Sequence, residues 1–369
     1  MNYWSVRLFD IIRPRVDWPL MAMILLVCAG GLAVLYSALD ARMDILMRQI
    51  IRLGVGFAAL LVLSKLPPRT LRGMAPALYL MTVATLVAVA LIGEGDGARR
   101  WLNLGFMRFQ PSELMKITLP LALAAYLNER PLPIRLPDLL LCLGMLVLPV
   151  GLVARQPDLG TALLILGAGA SVIFLAGLRW RIILAGFFAT MAALPVIWTQ
   201  LHEYQRNRVR VLLNPESDPL NHGWNIIQSK IAIGSGGLYG KGWQNGTQAQ
   251  LDFLPERTTD FILSVLAEEF GFVGVCLLMV LYLLIIIRGL QISANAADSF
   301  SRLLAASLTL TFAVYVIVNA GMVSGLLPVV GVPLPLVSYG GTSAVTLLAG
   351  FGIIMAIRAT PRRRHLSEG

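Results

Sequence analysis

A few carboxylates and cations in this chain sit where it turns apolar, and charges in such places either pair or do chemistry. The stretch FLPERTTDFILSVLAEEFG, residues 253–271, puts Asp260 at the mouth of an apolar run and Glu268 and Glu269 further along it. A carboxylate in Asp260's position can take a proton from a hydroxyl. Thr258 or Thr259 is expected to cap the helix, whose dipole favours Asp260. In one continuous helix Glu268 lies about 12 Å deeper and roughly 80° around. The two therefore do not form the close carboxylate pair of a retaining glycosidase. Glu268 and Glu269 are expected to be an internal polar anchor, paired with a buried Arg or Lys or with water.

Three further stretches carry polar groups. In GARRWLNLGFMRFQPSELMK, residues 97–116, Glu113 and Lys116 are three apart, share a helix face and can pair, with Ser112 expected as a cap. GSGGLYGKGWQNGTQAQ, residues 234–250, is a glycine-rich turn whose Lys241 and backbone amides could hold a diphosphate. It is not a Walker A motif, because Ser235 stands in the place of its first glycine and Gly242 in the place of its Ser/Thr. In GLLPVVGVPLPLVSYGGTS, residues 325–343, Pro328, Pro333 and Pro335 exclude a continuous helix. Irregular backbone at membrane depth is tolerated where it is buried or lines a cavity. RQPDLGT, residues 155–161, adds Arg155 and Asp158. The three cysteines lie in apolar runs and read as small buried hydrophobes, and the three histidines form no ligand cluster.

The elements that position these groups follow from composition. Of 369 residues, 57% are hydrophobic and only 14% charged, with mean hydropathy +0.75. Soluble domains carry about 25% charged residues, so an all-α polytopic membrane protein is expected. Apolar runs predict ten transmembrane helices, near 20–39, 46–65, 75–93, 112–127, 138–153, 159–178, 181–201, 260–288, 303–326 and 334–357. The first run is too long for the core of a signal peptide and is expected to stay. With both termini inside, the inner segments hold sixteen of the 30 basic residues, among them Arg7, Arg13 and Arg15, against eight in the short outer loops, including Arg99. The positive-inside rule favours this orientation.

A large structured outer loop, about 202–259, separates spans seven and eight and holds the other six basic residues. Within it, WNIIQSKIAIG spaces Trp224, Ile227 and Ile231 as an amphipathic helix on the outer membrane surface. The chain reads as one membrane domain, 1–369, with a basic tail from about 358. Its surplus of outer cations points to an anionic ligand on that side.

The segments QPSELMK, QPDLGTA, GSGGLYGKGWQNGTQAQLDFLPERTTDFI, VLAEEFGFVG and PVVGVPLPLVSYGG resemble motifs of the SEDS family (shape, elongation, division and sporulation). Within it the chain is most similar to members of the RodA type. The resemblance covers nearly the whole chain. It implies a ten-helix glycosyltransferase of the bacterial inner membrane that polymerises lipid II, the lipid-linked peptidoglycan precursor, at the periplasmic face during elongation. It further implies Asp260 as the catalytic aspartate and Glu113 and Lys116 as a functional pair. A class B penicillin-binding transpeptidase and other elongation-complex membrane proteins are the implied partners, beside membrane lipids and with no nucleic acid. Thr258 stands where related proteins carry His, which puts in doubt an essential histidine or a metal site built on it.

The chemistry is consistent with these residue types. A sugar on a lipid diphosphate has an activated leaving group, so one base and a cluster of cations suffice. Asp260 would deprotonate the acceptor's 4-hydroxyl, and the attack would invert the donor's anomeric carbon. Lys116, Arg155, Arg210 and Lys241, with Mg²⁺ or another divalent cation as a candidate aid, would hold the undecaprenyl diphosphate. An aspartate near 3.9 is a weak base, so an environment that raises its pKa is expected. The rival readings are a lipid II flippase, since transporters also use broken helices and intramembrane charges, and a non-catalytic scaffold of the elongation machinery.

Overall fold

The computed structural model describes residues 16–40, 42–93, 100–103, 108–201, 203–218, 222–251 and 253–360. Arg7, Arg13, Arg15, Arg99 and most of the expected basic tail, from residue 361 onward, lie outside the described residues. The chain is built almost wholly of helices. In order they are α1 (Trp18–Ala38), α2 (Met43–Leu63), α3 (Pro68–Ile92), α4 (Pro111–Asn128), α5 (Leu136–Ala154), α6 (Leu159–Leu175) and α7 (Trp180–Gln200). Then come α8 (Glu203–Leu213), α9 (His222–Gly236), the one-turn α10 (Thr247–Gln250), α11 (Ile262–Ala294), α12 (Ser299–Val323) and α13 (Thr342–Arg358). Two two-residue strands, Leu102–Asn103 and Arg108–Phe109, pair antiparallel just before α4.

Among the described residues, α1, α2, α3, α5, α11 and α12 are long and apolar enough to cross a membrane, and α6, α7 and α13 are shorter apolar helices. Several starts are capped by acids: Asp17 accepts from the Leu20 amide at 3.0 Å, Asp158 from Thr161 at 3.2 Å and Asp298 from Ser301 at 2.7 Å. α4 lies at the centre, against α3, α6 and α12, and buries most of its residues, Glu113 and Lys116 included. α2 packs on α13, and α11 on α12, α9 and α1.

Two expectations fail at helix ends. The last span was expected from residue 334, but α13 begins only at Thr342, because the prolines and Gly331 keep 325–341 out of a helix. Ser112 does not cap α4: Gln110 takes the N-cap position, without a side-chain hydrogen bond, and Ser112 is buried as the second residue of the helix.

The largest departure lies in α11, which is not continuous. Gly271, with φ 64° and ψ −165°, interrupts it. An unbroken helix would bond the amides of Phe272 and Val273 to the carbonyls of Glu268 and Glu269. Here the glycine-rich loop supplies all four partners. The amides of Lys241 and Gly242 donate to Glu268 O (2.9 Å) and Glu269 O (3.0 Å), while Phe272 and Val273 donate to Gly237 O (2.9 Å) and Leu238 O (3.1 Å). A Cβ on Gly271 would lie 2.3 Å from the Gly240 nitrogen, and one on Gly240 would lie 2.1 Å from Glu269 O.

Side chains reinforce the junction. Glu268, 0% exposed, accepts from Lys241 Nζ (2.7 Å), Thr247 Oγ1 (3.0 Å) and the Gln248 amide (3.1 Å). Glu269 accepts from Ser37 of α1, and Trp243 Nε1 donates to Ala33 O at 3.1 Å. The polar anchor expected of Glu268 and Glu269 is present. Of the diphosphate cradle expected of residues 234–250, the amides of Lys241 and Gly242 are engaged by the broken helix, and the Lys241 ammonium by Glu268 and Thr247.

α9 forms where a helix was expected, but its packing differs. Ile226, Ser229, Ala232 and Gly236 face inward, with Ser229 Oγ 2.8 Å from Ser264 Oγ and 2.6 Å from Val323 O. Trp224, Ile227 and Ile231 remain on the more open side, and Trp224 Nε1 donates to Phe253 O at 2.8 Å. The helix is docked on the bundle rather than only laid on a membrane surface.

Two outcomes are expected in detergent. Gly271→Ala, which puts a Cβ into the Gly240 backbone at positive φ, should lower the melting temperature sharply or abolish folded yield, whereas Gly54→Ala, with open space around it, should be neutral. Lys241→Met should cost about 3 kcal/mol by stranding a buried carboxylate. Glu268→Gln in the same chain should restore part of that loss, a coupling read from a denaturation double-mutant cycle.

Candidate active site

Asp260 lies in the turn that ends the long loop, just outside α11. The helix starts at Ile262 with Phe261 at the N-cap and no side-chain cap, so neither threonine caps it as expected. Thr259 Oγ1 instead donates to Glu256 Oε2 at 2.6 Å, and the Thr259 and Phe261 amides donate to Glu256 O.

The turn is held by the non-helical segment 325–341. The Tyr339 amide donates to Thr258 O at 2.8 Å, and Ser338 Oγ donates to Thr259 O. Asn319 of α12, fully buried, donates through Nδ2 to both Asp260 O (2.8 Å) and Val332 O (2.7 Å). Gly331, at φ 73°, passes so close that a Cβ on it would lie 3.5 Å from Asp260 Oδ2. The segment is wedged in turn by α6, where a Cβ on Gly160 would lie 2.4 Å from Val330 O. Gln49 Nε2 of α2 (3.2 Å to Ser338 O) and Tyr282 OH of α11 (2.7 Å to Pro335 O) fasten it further.

This setting changes the acid. Burial pushes the Asp260 carboxyl up to about 6, the Glu256 charge adds to the rise, and the Arg208 charge opposes it. Burial and the Glu256 charge thus outweigh the one opposing cation. The value suits a base working near neutral pH, as the chemistry required.

The expected ion pair in α4 forms. Lys116 Nζ lies 2.6 Å from Glu113 Oε1, both side chains are buried, and the same ammonium contacts Tyr315 OH. Glu113 Oε2 has no hydrogen-bond partner among the described residues. It belongs to the wall of a cavity of about 740 Å³ that Arg52, Trp101, Tyr339 and Thr342 also line. The Arg52 guanidinium sits 4.6 Å from the centre of the Tyr339 ring. Tyr339 therefore joins the brace of Asp260 to the wall that contains Glu113.

The other expected cations are dispersed. Arg155 is exposed at the end of α5, in the turn whose Asp158 accepts from Gln110 Nε2 at 3.2 Å just ahead of α4. Arg210 is exposed and pairs with Glu203 at 3.2 Å. Arg208, two residues earlier and less exposed, is the arginine whose charge reaches Asp260. Sequence reasoning missed Arg208, Asn319, Tyr315 and Arg52. Asn319 left one signal, a lone carboxamide in an apolar helix, which needs partners there. Among the described residues no three His, Cys, Asp or Glu side chains converge as a metal site. The described side chains by themselves offer no such cluster for a divalent cation.

Known proteins agree with this architecture. Residues 17–363 match the family model FtsW/RodA/SpoVE, described as cell cycle proteins. The chain is 50% identical over 358 residues to peptidoglycan glycosyltransferase MrdB of Escherichia coli K12, covering 96% of each. Among solved structures it is similar to RodA, the rod shape determining protein of Thermus thermophilus. The TM-score is 0.70 and the identity 34%, over 93% of this chain and 96% of that one. It is also similar to a chain from a peptidoglycan synthase complex that coordinates polymerization and crosslinking, with TM-score 0.82 and 37% identity, over 93% of this chain and 97% of that one. With nearly its whole length matched and the same helical fold, the chain belongs to the FtsW/RodA/SpoVE family.

Proposed function

We propose that this chain is a peptidoglycan glycosyltransferase of the elongation system, polymerising lipid II at the periplasmic face of the bacterial inner membrane. In this reading α1 to α7 and α11 to α13 are ten membrane spans of one domain with both termini cytoplasmic. A class B penicillin-binding transpeptidase is the partner, as the similarity to a chain of a peptidoglycan synthase complex suggests. The observation that carries the reading is Asp260: a half-buried carboxylate with its pKa pushed up to about 6, braced by three hydrogen bonds to the backbone of its turn, at the mouth of α11.

Asp260 accepts the proton of the acceptor sugar's 4-hydroxyl as that oxygen attacks the donor's anomeric carbon. The bond from that carbon to the diphosphate breaks, its electron pair leaves with undecaprenyl diphosphate, and the carbon inverts. No acid is needed for so stable a leaving group. Lys116, held by Glu113 and Tyr315, is a fixed positive charge buried behind the Glu113 wall of the cavity, and preorganised charge of this kind stabilises developing anions. Arg155, Arg208 and Arg210 add positive charge around the outer mouth. Lys241 leaves the substrate-binding set because Glu268 claims it. A divalent cation such as Mg²⁺ would be carried mainly by the diphosphate's own oxygens, and no step here depends on it.

Purified protein with its transpeptidase partner should convert labelled lipid II into glycan ladders. Asp260→Asn should reduce them by about a hundredfold or more while remaining folded. The wild-type rate should rise with pH to a half-maximum near pH 6 and fall about tenfold per unit below it. The stability sign is opposite. A carboxyl raised in the folded state is uncharged in both states below about 3.8 and costs stability as pH climbs through 6. Asp260→Asn should therefore melt higher than wild type above pH 6, with the gap closing toward pH 4. Equal ladders from both proteins would remove Asp260 from the mechanism, and precursor crossing vesicles without ladders would favour a flippase.

Asn319→Leu removes the clamp on the Asp260 backbone without touching the carboxylate. It should lower kcat by about a hundredfold at unchanged KM and displace the acid limb from pH 6. A purely structural role would leave that limb in place.

A further inference from the structure

The end of the bundle away from Asp260 holds a second charged cluster that the proposed reaction does not use. Arg288 lies near the far end of α11, seventeen residues beyond the Gly271 break and so about 25 Å along its second part. Asp17, the N-cap of α1, has a fully buried side chain. Its Oδ1 accepts from the Leu20 amide (3.0 Å) and Arg288 Nε (3.2 Å), and its Oδ2 accepts from Arg288 Nη2 (2.8 Å) and pairs with Arg358 Nε at the end of α13. Burial by itself would raise this carboxyl, but the bonds from Arg288 and Leu20 and the two guanidinium charges outweigh it and hold the pKa below the ordinary value. Asp17 is ionised at neutral pH.

Among the described residues two guanidinium charges thus meet one carboxylate, which leaves one positive charge in excess. Arg288 Nη1 reaches Gln291 Oε1 at 3.3 Å. Arg358 is half exposed, and its two Nη groups make no hydrogen bond to a described residue. Beside them opens a cavity of about 450 Å³, walled by Arg288, Gln291, Asn295 and Arg358 over the aliphatic side chains of Ile292 and Ile357. Free guanidinium donors in a fork, neighbouring carboxamides and an apolar floor are suited to a phosphate ester at a membrane interface. In the orientation favoured by the basic residues this end faces the inner leaflet, where anionic headgroups collect in basic pockets between helices.

We propose that the cavity between the ends of α11 and α13 binds a phosphate group, supplied by an anionic phospholipid headgroup or by a soluble phosphate. Bound there, the phosphate neutralises the excess charge and ties α13 to α11 beside the Asp17 pairing. The proposal is independent of the catalytic reading, because none of its groups touches the Asp260 site.

The test uses the full chain in nanodiscs of phosphatidylcholine doped with phosphatidylglycerol, with retained lipid read by native mass spectrometry. A parallel arm holds the protein in phosphatidylcholine alone and follows its melting temperature as inorganic phosphate is added. Arg358→Gln removes the free donors. Gln291→Glu keeps the shape and both Asp17 pairs but cancels the excess charge, so it decides the matter if the arginine variant fails to fold. Phosphatidylglycerol retained by wild type and reduced about fivefold in each variant would establish the lipid as source. A phosphate-dependent rise in melting temperature that Gln291→Glu abolishes would establish a soluble one. Equal lipid retention by all three proteins, with no phosphate-dependent shift, would overturn the proposal.

Discussion

The structure depends on an exchange of four backbone hydrogen bonds at Gly271. Breaking a helix inside a bundle leaves two carbonyls and two amides without partners, each costly away from water. The loop segment 237–242 satisfies all four, and it fits only because Gly240 and Gly271 lack a Cβ where the backbones meet. Lys241, Glu268 and Ser37 then fix the side chains of the junction. The break lets the short first part of α11, which leads back to Asp260, take its own direction and still be held by the longer second part.

Asp260 gains its chemistry from the same economy of irregular backbone. Segment 325–341 cannot be a helix, so its polar groups need partners elsewhere, and many of them lie in the Asp260 turn. Ser338, Tyr339 and Val332 each meet that turn directly or through Asn319. Leu336 is held at φ 62°, a conformation that a branched side chain adopts only at a cost. The result is a carboxylate on a braced backbone in partly dry surroundings, with its pKa raised because burial and the Glu256 charge outweigh the Arg208 charge. A group held this way works against stability, as bases matched to neutral pH generally do.

Charge is distributed unequally over the ends of the bundle. Near Asp260 the cations are spread over α4, α8 and the turn after α5, while at the far end Arg288 and Arg358 converge on Asp17.

The all-helical class, approximate helix limits and the pairing of Glu113 with Lys116 were legible in the sequence, because apolar run length and i, i+3 spacing act locally and need no partner. The prolines of 325–341 likewise announced a break, and the motif strings pointed to the family. Tertiary structure alone decided where the polar groups of the breaks find partners. It turned Lys241 from a candidate phosphate ligand into the partner of Glu268, replaced the expected threonine cap with a turn built on Glu256, and made Arg208 rather than Arg210 the cation that reaches Asp260. It also brought Asn319 under Asp260, 59 residues away in the chain. Contacts of that range depend on how helices cross and which backbone atoms are left unsatisfied, and neither quantity is encoded in the spacing of residues along one segment.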